Sequence, residues 1–196
     1  MNTSTRIPVL LFAALCTACA GQSARVKRSA ADAGTTKDVA GAGRLHGYVV
    51  GRRHSDFSWK DGKEQRFQVE YGWDYDQGIA LRKTFDQSGA LLKTQRVTGE
   101  EPPLTEAERE RVQVLVREQP ELKPLIERPG VVVWAGGFVY RKPGDPYCGD
   151  RTRCIHAIAS ADGGNTAVSH SIVDLQSDRV VYPFYRPSDE KTSTKP

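Results

Sequence analysis

"LTEAERERVQVLVREQ", Leu104 to Gln119, is the stretch that decides the fold. Thr105 is followed three residues later by Glu108, the spacing at which a threonine hydroxyl and a glutamate carboxylate cap each other's backbone at a helix start. Val112, Leu115 and Val116 then recur at helical intervals, and Pro120 forbids continuation. Together these signals predict one amphipathic helix over about Thr105–Gln119, with that apolar face laid on a sheet. Arg109, Arg111, Gln113 and Arg117 fall elsewhere and read as a solvated face. "PELKPLIERPG", Pro120 to Gly130, predicts one loose helical turn.

The period changes on both sides of this helix. Upstream, "RFQVEYGW" puts Phe67, Val69, Tyr71 and Trp73 on one side and Arg66, Gln68 and Glu70 on the other. "IALRKTF" places Ile79, Leu81 and Phe85 on a common face, and "ALLKTQRV" follows after a turn at Asp86–Gly89. "RLHGYVV" is expected to join the same sheet. Strands this short, punctuated by Asp, Gly and Ser, form antiparallel hairpins. Downstream, "GVVVWAGGFVYRK", turned or kinked at Gly136-Gly137, leads into "TRCIHAIAS", "TAVSHSIVDL" and "RVVYPFY". The fold class is therefore α+β: an antiparallel β-meander, then a helix packed on an antiparallel sheet.

From about Pro103 to Tyr182 this order resembles the cystatin-like N-terminal domains that precede the catalytic domain of copper amine oxidases. The matching residues are "PLTEAER" at the helix start and "SIVDLQSDRVV" at the close of the sheet. The resemblance implies a cystatin-like helix on a sheet and, at most, a docking role. Those domains hold no copper ligands, so it implies no activity.

The N-terminus speaks to address. Arg6 and the apolar run Ile7–Leu15 have the charge and length of an export signal, and the run is shorter than the ~20 residues a spanning helix needs. Leu15-Cys16-Thr17-Ala18-Cys19 resembles the signal of bacterial lipoproteins, with Cys16 standing where a Leu is usual. The resemblance implies cleavage before Cys19 and lipidation of its sulfur. With Ala20 after the cysteine it implies the outer membrane of a Gram-negative cell, facing the periplasm. The expected organisation is a signal peptide over 1–18, a flexible tether over 19–43, one compact domain over 44–185 and a disordered tail over 186–196. The domain divides at most into subdomains 44–101 and 102–185. The tether is small, polar and poor in bulky apolar groups, so burial cannot offset its chain entropy.

Two cysteines remain for the domain, Cys148 and Cys154. Zinc sites favour closer spacing and a second ligand pair. In an oxidising compartment a disulfide closing this loop is expected, against free thiols or, with His156, a fragment of a metal site. No metal ligands are assigned and no cofactor is expected. Catalytic motifs fail in turn. "GAGRLHG" follows a linker rather than a strand, Ser169, His170 and Ser171 alternate across one strand, and no G-x-S-x-G elbow exists. Asp74, Asp76 and Gly78 begin like a calcium loop but lack its downstream acid, and so read as a turn. His46, His54, His156 and His170 could converge only through the fold.

The formal charge of +4 falls by one when Arg6 leaves with the signal, and Lys and Arg are scattered rather than striped, which argues against nucleic acid. Phe57, Trp59, Trp73 and Trp134 are the candidate contact aromatics, with core packing as the alternative for each. The function expected is a non-catalytic envelope lipoprotein, attached to the membrane through its lipid and binding an envelope protein partner. The alternative is a periplasmic enzyme, or a small-molecule or metal-binding protein with a site assembled from distant residues.

Overall fold

The computed structural model describes residues 43–186. Cys19, the signal and the tail lie outside the described residues. Two antiparallel four-stranded sheets carry the architecture, ordered β1-β2-β3-β4 and β5-β6-β7-β8, each a plain meander. The first comprises β1 (Tyr48–Lys60), β2 (Lys63–Asp74), β3 (Ile79–Phe85) and β4 (Leu91–Val97). The second comprises β5 (Val132–Tyr140), β6 (Cys154–Ala161), β7 (Thr166–Asp174) and β8 (Arg179–Tyr182). The two upstream and downstream β regions are thus separate sheets, and both lie in one unit, Asp38–Pro196.

Between the sheets run helix α1 (Glu106–Glu118) and the short α2 (Lys123–Ile126). The capping box forms: Glu108 N–H donates to Thr105 Oγ1 at 3.2 Å, and Thr105 N–H donates to Glu108 Oε2 at 2.7 Å. Val112, Leu115 and Val116 are buried in one apolar cluster with Tyr71, Trp73, Tyr75 and Ala80 of the first half and Val133, Ile155, Ala157 and Val173 of the second. The helical face that was expected to be wholly solvated has one exception. Arg111 grips Asp178 in the β7–β8 turn with a fork of two bonds, 2.7 and 2.6 Å.

Register adds to the first sheet in two places. Trp73 pairs with Ala80, which joins the core cluster from β3, while Leu81 is buried on the face it shares with Ile79 and Phe85. β1 is also far longer than "RLHGYVV" suggested: it runs to Lys60 and turns back through Asp61 and Gly62, both at positive φ. That is the backbone of a two-residue hairpin turn, for which Asp-Gly is a preferred sequence.

One buried charge joins the halves. Arg153, fully buried, donates to Glu108 Oε1 at 3.1 Å, to Glu101 Oε2 at 3.3 Å and to the Pro102 carbonyl at 2.8 Å. Tyr75 donates its hydroxyl to the same Glu108 oxygen at 2.7 Å. Burial alone would favour a neutral guanidine, but the Glu108 and Glu101 carboxylates outweigh it and hold Arg153 charged. The Arg153 guanidinium also lies 5.5 Å from the centre of the Trp73 ring. Helix start, the linker between the two sheets, β2 end and β6 start therefore meet at a single cation.

Candidate functional site

Three places in the fold carry chemistry beyond packing. The first is the ribbon formed by the β1–β2 hairpin. β3 pairs with β2 only from Gln68 onward, so Lys63–Phe67 and the paired part of β1 extend past the rest of the sheet. At ~3.4 Å per residue the overhang is roughly 17 Å long. Phe57 pairs with Arg66 and Trp59 with Glu64, which puts both aromatics on one face of the ribbon. They are 60% and 68% exposed. β1 is also the outer strand of its sheet, so its far edge has no strand beside it among the described residues.

The other two candidate aromatics divide. Trp134 is 59% exposed on β5, paired with the half-exposed Ile158. Trp73 belongs to the core, where its Nε1–H donates to Gln176 Oε1 at 3.0 Å.

The second place is a cavity of about 440 Å³ at the seam of the two halves, lined among others by Trp73, Arg96, Glu101, Arg141 and Arg151. Its charges are largely matched. Arg141 pairs with Glu101 and Asp150, and Arg151 donates to the Gln77 carbonyl at 3.0 Å.

The third is the outer face of the second sheet. His156 on β6 and His170 on β7 sit diagonally across the pairing, because His156 is opposite Ile172 and Ile158 is opposite His170. Their rings meet, with Nδ1 of His156 and Nε2 of His170 2.6 Å apart. Tyr185 closes over them at 5.6 and 5.0 Å between ring centres, and Tyr140 abuts His156 at 5.6 Å. Burial favours the neutral imidazole of His170 and lowers its pKa from the ordinary 6.5. Gly136 makes room for this arrangement: a Cβ there would stand 2.9 Å from the His156 Cβ and carbonyl oxygen.

Of the four histidines the fold thus joins two. No group of three or more His, Cys, Asp or Glu gathers as a metal site among the described residues. Ser169 and Ser171 point to the opposite face from His170, as strand alternation requires, and Ser171 donates to the Pro183 carbonyl at 2.7 Å.

Cys148 and Cys154 form a disulfide, with their sulfurs 2.12 Å apart, and the bridge is fully buried under Tyr140 and Ile172. Asp145 braces the loop, accepting from the backbone of Tyr147 and Cys148 at 2.9 and 2.8 Å and from the Tyr182 hydroxyl at 2.8 Å. Asp74 is a turn residue, accepting the Asp76 and Gln77 amides, each at 3.0 Å. No helix among the described residues is long and apolar enough to cross a membrane.

Sequence reasoning named His156 and His170 without pairing them, and it missed what register and burial bring about elsewhere: the buried Arg153 and the reach of the ribbon. Only the ribbon had a local signal, Asp61-Gly62.

No protein-family model matches the chain, and no curated protein matches it either.

Proposed function

We propose that this protein is a non-catalytic envelope lipoprotein, held by lipid on Cys19 at the periplasmic face of the outer membrane, whose domain binds a protein partner through the β1–β2 ribbon. The observation that carries the binding role is the exposure of Phe57 and Trp59 on one face of an overhanging hairpin with an open strand edge. Arg52, Arg53, Asp56 and Lys60 guard the strand against indiscriminate pairing, so two large exposed rings beside an open edge suit a specific partner. Covering the exposed parts of both rings would remove on the order of 250 Å² of apolar surface, roughly 6 kcal/mol before the costs of association. The partner that fits is one offering an apolar patch beside its own strand, so that β1 is extended by backbone pairing while the rings are covered. The cystatin-like reading supports the same role, with α1 in the core that both sheets share and the β1–β2 overhang left to make contact.

The test is site-specific photocrosslinking in intact cells from a benzoylphenylalanine at Arg66, which shares the ribbon face with Phe57. A defined envelope adduct is expected, and it should vanish in Phe57→Ala/Trp59→Ala. An adduct unchanged by that double variant would overturn the ribbon as the binding element. The anchor is tested separately. Cys19→Ser should release the protein from the membrane fraction or block its processing, whereas Cys16→Leu should leave attachment intact.

A further inference from the structure

We infer that the open edge of β5 pairs with β5 of a second copy of this chain, giving a weak twofold dimer in which the two second sheets run on into one another. Among the described residues β1, β4, β5 and β8 are the edge strands of the two sheets. Folded proteins keep such edges from pairing indiscriminately by placing charges or proline on them. β1 carries Arg52, Arg53, Asp56 and Lys60, β4 carries Lys93 and Arg96, and β8 carries Arg179. β5 reads VVWAGGFVY, nine residues with neither charge nor proline. The outer face beside this edge is apolar as well. Val132 is 44% exposed and Ile158 40%, and Ile158 stands directly opposite the exposed Trp134.

What covers this edge must bring an open strand and an apolar patch together. The chain's own ends do not: positions 187–196 hold no bulky apolar residue, and positions 20–42 hold only Val26 and Val39. A second copy brings both. With the twofold axis at Val133, Val132 of each copy stands opposite the partner's Trp134, and the Ile158 side chains flank that row. Antiparallel pairing about this axis keeps outer face with outer face, and no like charges meet across it. The contact is isologous, so it closes at two chains and does not grow into a fibre. The register shift between Ala135 and Val139 limits the paired span to about residues 131–135. Trp134 contributes roughly 150 Å² per copy. With Val132, Ile158 and the backbone edges, the two copies bury on the order of 900 Å², the low end for a specific contact. The dimer therefore dissociates at roughly 10–100 μM, and the chain is monomeric near ~1 μM. Neither the lipid nor the ribbon enters this inference.

The experiment is sedimentation equilibrium of the full chain in detergent, from ~1 to ~300 μM. The mass is expected to rise from one chain to two and stop there. Trp134→Lys should raise the dissociation constant about thirtyfold or more, the factor a hot-spot tryptophan carries, with an unchanged far-UV circular dichroism spectrum. Phe57→Ala/Trp59→Ala should leave it unchanged, which separates this contact from the ribbon. Should Trp134→Lys fail to fold, photocrosslinking in intact cells from a benzoylphenylalanine at Val132 decides. It should give a two-chain adduct whose joined peptides both come from β5. A single-chain mass throughout, a dimer indifferent to Trp134→Lys, or an adduct only to another protein would overturn the inference.

Discussion

Replacing Arg153 by methionine tests the account of how the two halves are joined. Methionine fills much of the space of the arginine stem but removes the guanidinium, and with it the bonds to Glu108, Glu101 and the Pro102 carbonyl. Glu108 is 1% exposed, so its carboxylate is left in the interior facing only the Tyr75 hydroxyl and the Thr105 cap. Breaking a buried pair from one side costs about 3–5 kcal/mol, mostly through the stranded charge. Loss of that size would consume much of the 5–15 kcal/mol that folded domains typically have.

The second arm is Glu108→Gln. Glutamine can still accept from the Thr105 amide, so it keeps the capping box while discarding the charge. In the Arg153→Met/Glu108→Gln double variant no carboxylate is stranded at position 108, and the double should be more stable than the two single losses predict by roughly 2 kcal/mol. Urea unfolding followed by tryptophan fluorescence reads this out, because Trp73 lies in the core beside Arg153 while Trp59 and Trp134 stay wet in both states. A single-variant loss under about 1 kcal/mol, or a cycle additive within ~0.5 kcal/mol, would refute the hub.

Four further outcomes are expected. Val112→Asp, at a fully buried helix position, should cost more than ~3 kcal/mol, and an unchanged melting temperature would show that the wrong face has been assigned. Reducing the Cys148–Cys154 bridge, which closes a short loop, should lower stability by about 2 kcal/mol; two alkylatable thiols in native unreduced protein would reject it. Tyr71→Phe should be neutral or stabilising, because the Tyr71 hydroxyl is buried and has no hydrogen-bond partner among the described residues; a loss above ~1 kcal/mol would mean it has one. Acid should loosen the packing of Tyr185 over the His pair. His170 has a lowered folded pKa, so the unfolded chain takes up the proton first. The stability it contributes is present above about pH 6.5 and is lost as the pH falls through the folded value, which His170→Gln should abolish in melting curves.

What was legible in the sequence was local. The helix carries its own start, face and stop within sixteen letters, and its observed bounds fall inside them. β2 announces itself by alternation because one of its faces is buried at the sheet end. β1 beyond Arg52 is harder to read, because Arg52–Asp56 is continuously polar, every residue from Arg52 on is exposed, and only Phe57 and Trp59 alternate with polar neighbours. Ala80 carries no signal of its own beside Ile79 and Leu81, because only its pairing with Trp73 brings so small a residue into the core. Arg153 and Glu108 carry charges that usually signify surface, and their burial depends on partners up to 52 positions away. The His pair requires a strand register before it exists at all.

The buried cation also dates the completion of the molecule. Synthesis proceeds from the N-terminus, so the first sheet, the linker and α1 all emerge before Arg153 does. Until then Glu108 and the Pro102 carbonyl have no guanidinium to close on, and Tyr71, Trp73 and Tyr75 lack the second sheet's share of the common core. Between the end of β4 at Val97 and the emergence of Arg153 the nascent chain is therefore an open half whose aromatic surface must be kept from other chains. Cys154 follows Arg153 directly, so cross-linking of the loop and closure of the core come due at the same moment.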